Sequence, residues 1–338
     1  MSLAPAKPFP RLWSLEAGVA MVVTDLHGDW DAYRRYRDRF VALQAGGQAD
    51  WLIFTGDMIH REQEDAPDPS LELVLDVLAL QATYGQAVIY LCGNHELPHL
   101  YHFALTKGNR TYTPAFEAAL AVSPHRAEVI ALFESLPFYL RTRAGVMLTH
   151  AGAAAPLANP INARKLFNWN HRHLFDWADD IMAGQEVESL RQGYAKIQQA
   201  PYDLMANYYL AVSGPTDPRY NDLLRGFLAT QYPEFNSLLW PALFTRCEQE
   251  YGAADYAIFV EALLKEAAIN FYPQRALVAG HMTLRGGHQK VTRQHLRLAS
   301  AHHATPREAG QYLLFDVAKP IQRMEDLLPG LASVYRGD

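Results

Sequence analysis

Five short apolar runs in this chain break off at an Asp, Asn or His, and that recurrence limits the folds open to it. Ala20 to Thr24 runs into Asp25-Leu26-His27-Gly28-Asp29, and Trp51 to Thr55 into Gly56-Asp57. Ala87 to Leu91 stops just before Gly93-Asn94-His95-Glu96, Gly145 to Thr149 runs into His150-Ala151-Gly152, and Ala276 to Ala279 into Gly280-His281. Runs of this length and composition read as buried strands. In α/β folds, side chains at the carboxyl ends of strands line the site. Asp25 and His27, two apart in extended chain, point the same way and can reach one cation, while Gly28 lets the backbone turn away. Together the strand ends offer three His, two Asp and one Asn, a set larger than one ion takes from protein, so the expectation is two metal ions.

The segments between these runs supply the covering helices. Asp29 is placed to cap a helix from Trp30 to about Leu43, with Tyr33, Tyr36, Phe40 and Leu43 on one face and arginines around the others. Asp68-Pro69 starts a second, Ser70 to Tyr84, so the first three runs form strand, helix, strand crossovers and a parallel sheet. Phe138 to Thr142 and Gly145 to Thr149, joined by Arg143-Ala144, add an antiparallel pair. An amphipathic helix spans Ala127 to Ser135 and another Asp255 to Ile269, while Val291 to Ala301 and Tyr312 to Val317 read as closing strands. Residues 1–10 read as a mobile Pro/Ala leader. Residues 163–237 read as a helical insertion within a single domain spanning 1–338.

With 49% hydrophobic residues in 338, the chain can bury one large core. Two cysteines, Cys92 and Cys247, cannot make a disulfide framework. No signal-peptide pattern opens the chain and no run of 18 apolar residues occurs, so the expectation is a cytoplasmic protein without a membrane partner. A formal charge of −6 argues against a nonspecific nucleic-acid surface.

The ordered motifs DLHGD, GDMIHR, GNHE, HAG and GH resemble the calcineurin-like metallophosphoesterases, and within them the phosphoprotein phosphatase family. Leu238-Leu239-Trp240, Arg246 and Tyr251-Gly252-Ala253 resemble that family's LLWSDP and RGxxxxFG segments, and Ser300-Ala301-His302-His303 its SAPNYC ending. The resemblance implies a four-layer α/β/β/α sandwich with mixed sheets and a helical insertion. It implies two divalent ions (Mn, Fe or Zn), the first held by Asp25, His27 and Asp57, the second by Asp57, Asn94, His150 and His281, with Asp57 bridging. Arg61 and Arg246 would clamp the phosphoryl oxygens, His95 would protonate the leaving oxygen, and a metal-bridging hydroxide would attack. The implied activity is hydrolysis of phosphomonoesters, in phosphorylated Ser/Thr or Tyr of proteins or a small phosphoester. The alternative is a dinucleoside polyphosphate or nucleotide hydrolase.

One departure stands out: His60 occupies the place of the family's aspartate partner to the catalytic histidine. His171, His173, His288, His302 and His303 are expected at the surface or around the ligands, none bound to metal.

Overall fold

The strands Val19–Val23, Trp51–Phe54 and Val88–Tyr90 pair in parallel, because each is followed by a helix that carries the chain back before the next begins. The computed structural model of the protein describes residues 5–62, 67–244 and 247–335. Tyr312–Asp316 adds antiparallel to Val19–Val23, and Leu331–Ala332 closes that edge, giving a five-stranded mixed sheet. A second sheet of seven strands runs Ala6–Phe9, Leu12–Leu15, Tyr139–Thr142, Val146–Thr149, Ala276–Ala279, His295–Leu298, His288–Thr292.

Side-chain alternation stacks the two sheets. Ala20, Val22, Trp51 and Ile53 of the first sheet share a buried cluster with Leu140, Val146, Leu148, Val278 and Leu296 of the second. Each Val, Leu or Ile among them, fully buried, stabilises by roughly 1.5 to 3 kcal/mol. The alternate positions face helices. Phe54 meets Tyr33 of the helix Trp30–Ala45 at 6.0 Å between ring centroids, and Tyr139 meets Phe167 of the helix Pro160–Phe167 at 5.5 Å. This is the expected four-layer α/β/β/α arrangement with mixed sheets. Asp29 caps its helix through Ala32 N–H at 3.0 Å and is held by Arg307 at 2.7 Å.

Two expectations need correction. Residues 6–9 form an edge strand on Leu12–Leu15, with Lys7 Nζ 4.0 Å above the Trp13 ring. An edge tolerates Pro8, which has no N–H to donate. The run from Val291 to Ala301 is not one strand but an antiparallel hairpin, His288–Thr292 with His295–Leu298, turned at Arg293-Gln294 where Gln294 N–H donates to Thr292 Oγ1. Hydrophobicity alone cannot show a two-residue turn without Gly or Asn.

The chain divides into two compact units: residues 1–94, 136–169 and 238–338 carry both large sheets, and residues 95–135 and 170–237 form the second. The second is helical apart from one short hairpin, Thr106–Lys107 with Arg110–Thr111. One of its cores gathers Tyr194, Tyr202, Met205, Leu210, Tyr220 and Leu224. Gly226 has no room for a Cβ, which would collide with the Tyr101 carbonyl.

The second unit also buries an ionic group. The Glu117 carboxylate accepts from His99 Nδ1 at 2.7 Å and from Arg126 Nη1 at 2.8 Å. Burial pushes the Glu117 carboxyl up, but His99 and Arg126 outweigh it and bring it down to about 2, from an ordinary 4.5. A folded-state pKa below the unfolded one contributes stability at pH values above the unfolded pKa, and that contribution is lost as pH falls from about 4.5 toward 2. Glu117→Ala should cost on the order of 3 kcal/mol at pH 7 in urea unfolding, with the deficit shrinking between pH 4.5 and 2. A deficit that does not change with pH would mean that lost packing, not the carboxylate charge, is responsible.

Candidate metal centre

The parallel strands of each sheet set their carboxyl ends along one edge, and across the two sheets these edges meet. Thr24, just past Val19–Val23, and Ser300, just past His295–Leu298, exchange hydrogen bonds: Thr24 N–H to Ser300 Oγ at 2.8 Å and Ser300 N–H to Thr24 Oγ1 at 3.1 Å. The Asp25 loop is tied to the Asp57 loop by Leu26 and His27 N–H donating to the Asp57 carbonyl at 3.1 and 3.0 Å. At Gly56 a Cβ would lie 2.5 Å from Gly93 N, so only glycine lets the second and third loops close on each other. Gly280 likewise leaves no room between its Cα and the Asp25 carboxylate.

All six expected ligands, Asp25, His27, Asp57, Asn94, His150 and His281, are brought together. His150 Nε2 lies 3.0 Å from Asn94 Oδ1, 3.0 Å from His281 Nδ1 and 3.3 Å from Asp57 Oδ2. His27 Nε2 lies 3.7 Å from Asp57 Oδ2. Asp25 accepts the His281 backbone N–H on both oxygens, at 2.9 and 2.8 Å, which fixes the carboxylate plane. Two ligand atoms about 2.1 Å from one ion, at tetrahedral or octahedral angles, lie about 3.0 to 3.4 Å apart. The spacings around His150 Nε2 match.

Tautomers test the fit to a cation. His150 Nδ1 lies 3.1 Å from the Thr55 carbonyl, and His281 Nε2 lies 2.7 Å from the Phe244 carbonyl, so each ring directs its N–H outward at a backbone oxygen. In the neutral ring that a ligand must be, the other nitrogen carries a lone pair, and it points inward. Two imidazole lone pairs, an amide oxygen and a carboxylate then converge, acceptor against acceptor, which is the donor set for a divalent ion. The ionisation states agree. Burial, then neighbouring charge, holds His27 and His281 well below the usual histidine range. Burial pushes the Asp25 carboxyl up, but the imidazoles of His303, His150 and His27 outweigh it and keep it well below the usual carboxylate range.

Backbone strain is concentrated here. His27, Asp57, His60 and His281 have φ of 44°, 52°, 72° and 72°, in the left-handed region that side chains seldom adopt. Such residues cost about 1 to 3 kcal/mol each and persist only where the surroundings over-determine them.

Arg61 is part-exposed, its Cβ backing onto Gly28. Arg246 lies outside the described residues, as do Glu64 and Asp65. His95, 9% exposed, begins the second unit and meets Tyr112 edge-on at 5.2 Å. His60 N–H donates to Ser70 Oγ at 2.8 Å. His171 is buried, with Nδ1 2.6 Å from Tyr101 Oη, while His173 and His288 are exposed.

Sequence reasoning missed two features. His302 and His303 follow the strand His295–Leu298, which runs parallel to Ala276–Ala279, so a sixth strand end reaches the site. Arg297, fully buried, pairs with Glu248 through Nε and Nη2 at 2.6 to 3.0 Å, and its Nη1 donates to the carbonyls of Ala151 and Gly280. It therefore ties the residue after His150 to the residue before His281.

A mixed α/β sandwich with buried carboxylates and imidazoles gathered at its strand ends is the architecture of a metal-binding hydrolase. The family model for calcineurin-like phosphoesterases matches residues 19–214, more than half of the chain, and the chain belongs to that family. No curated protein matches it in sequence. Among solved structures it is similar to a protein serine/threonine phosphatase from Saccharomyces cerevisiae, described as similar to human phosphatase PP5, at 14% identity and a TM-score of 0.46, covering 88% of this chain and 72% of that one. It is also similar to a cold-active protein-tyrosine phosphatase of a psychrophilic Shewanella species, at 16% identity and a TM-score of 0.46, covering 91% and 78%. Likeness at this level carries no argument about substrate. No helix among the described residues is long and apolar enough to cross a membrane.

Breaking a buried ion pair by removing one partner costs about 3 to 5 kcal/mol, and Arg297→Ala should fall in that range in urea unfolding of the chelator-treated protein. Lysine offers one point donor in place of a fork, so Arg297→Lys should recover less than half of the loss. A lysine variant as stable as the parent would show that the carbonyl clamp is dispensable.

Proposed function

We propose that the protein is a dinuclear, metal-dependent phosphomonoesterase acting on phosphorylated side chains of proteins. The observation that carries the metal part is the convergence of Asn94, His281 and Asp57 on His150 Nε2 at 3.0 to 3.3 Å. In this reading Asp25, His27 and Asp57 hold one ion and Asp57, Asn94, His150 and His281 the other. When bound, such ions supply Lewis acidity toward a phosphoryl oxygen and lower the pKa of water. Mn, Fe and Zn all suit oxygen and nitrogen donors.

The chain's own residues then bind and move protons. Arg61 and Arg246 grip the phosphoryl oxygens, a task for which a guanidinium fork is suited. His95 holds a proton at the ring and passes it to the departing oxygen. Phosphoprotein as substrate is supported by the family-like segment from Leu238 to Gly252. One panel with added Mn, comparing phosphopeptides, p-nitrophenyl phosphate and a dinucleoside tetraphosphate, decides the substrate class, and turnover of the tetraphosphate alone would replace this reading with that of a nucleotide hydrolase.

Asp57→Asn should reduce metal content below two ions per chain and abolish turnover, and unchanged stoichiometry and rate would sink the dinuclear model. Arg61→Ala and Arg246→Ala should each cost about 2 to 4 kcal/mol in kcat/KM.

His60 shapes a further expectation. A second imidazole does not favour a protonated His95 as an aspartate would, so poor leaving groups should suffer most. The phenolate of tyrosine, with a pKa near about 10, needs less acid help than a serine alkoxide. Phosphotyrosine peptides should therefore turn over faster than matched phosphoserine peptides, and His60→Asp should narrow the gap. An unchanged ratio in that variant would show that His60 has no part in leaving-group choice.

A further inference from the structure

Beside the six expected ligands lies a second group of imidazoles. Ring nitrogens of His27, His302 and His303 approach within 4.8 Å of one another. The ring centroids are 4.4 Å apart for His27 and His302, 5.1 Å for His27 and His303, and 5.0 Å for His302 and His303. His302 Nε2 is engaged with Glu62 at 3.1 Å. His303 faces Asp25 instead. His303 is 8% exposed, and its buried Nδ1 lies 3.3 Å from Asp25 Oδ1.

A buried imidazole nitrogen thus faces the buried carboxylate of an expected ligand. Its distance to Asp25 falls within the about 3.0 to 3.4 Å expected of two ligands on one ion. The loop is also built to hold it there. The paired hydrogen bonds between Thr24 and Ser300 fix the residues immediately before Asp25 and just before His302, and the Tyr36 hydroxyl donates to the Ser300 carbonyl.

We propose that His303 is a protein ligand of the ion held by Asp25, His27 and Asp57, giving that ion two imidazoles and two carboxylates. The inference rests on the dinuclear reading and deepens it. Its chemical consequence is selectivity. Added nitrogen ligation favours Fe, Co or Zn over Mn at this position, because imidazole suits the later metals better than the harder, oxygen-preferring ones. His302, tethered by Glu62 and edge-on to His27, is a positioning neighbour rather than a ligand.

The test uses the full chain, stripped with chelator and titrated with Co(II) by calorimetry. The parent should bind two ions. His303→Gln should weaken one of the two by more than the about 10- to 100-fold that loss of an outer-shell partner costs and leave the other unchanged, whereas His302→Gln should stay within that range. His303→Cys keeps a donor at the same place and should add a thiolate-to-cobalt charge-transfer band on loading, a signature that a merely structural residue would not give. Two sites of parental affinity in His303→Gln together with no band in His303→Cys would overturn the proposal. Uptake of fewer than two ions by the parent would overturn the dinuclear reading instead, while the cysteine band would still report whether residue 303 touches an ion.

Discussion

The structure depends on one electrostatic arrangement: lone pairs turned toward one another inside a folded core. His150 and His281 spend their N–H groups on the carbonyls of Thr55 and Phe244, so that His150 presents a bare nitrogen to Asn94 and Asp57, and His281 presents one to His150. Without a cation such a cluster opposes folding, since buried acceptors that face acceptors forfeit the hydrogen bonds that water would give them. The rest of the fold can be understood as what holds these groups in place. Reciprocal hydrogen bonds at Thr24 and Ser300, the Asp57 carbonyl shared by two N–H groups, and the Arg297 guanidinium across two loops each fix a separation that side-chain packing alone would leave free.

The hydrophobic core and the polar site divide the strands between them. Within Val19–Val23 the alternation sends Ala20 and Val22 between the sheets, and the strand is buried on both faces, so its register has no slack. A slip of one residue would turn the core side chains toward the helices and displace Asp25. Left-handed backbone at His27, Asp57 and His281 follows, because a strand that must stop at a fixed register can aim its terminal side chain only by bending the chain sharply.

Much of this was legible in the sequence. The five apolar runs and the polar residues that end them gave the strands, the parallel pairing and the six clustered side chains, because a buried parallel strand is a continuous apolar run and a strand end is where polarity returns. What stayed hidden had specific physical causes. The hairpin within 288–298 turns at Arg293-Gln294, residues that carry no turn signal, so two antiparallel strands read as one. Arg297 looks like any surface arginine until Glu248, 49 residues away in the chain, is placed against it. The edge strand at Ala6–Phe9 is specified by its neighbour Leu12–Leu15 more than by its own composition.

The gathered side chains come from positions as far apart as Asp25 and His281, 256 residues along the chain. No partly folded segment can offer more than a fraction of them, so the centre exists only once both sheets have closed. Closing parallel strands across such separations is slow, since loop entropy is lost before the contacts that reward it are made. The centre is therefore a report on completed topology. A divalent ion that finds the full donor set finds only native molecules, and its free energy of binding adds to that of the fold by mass action instead of guiding the chain toward it.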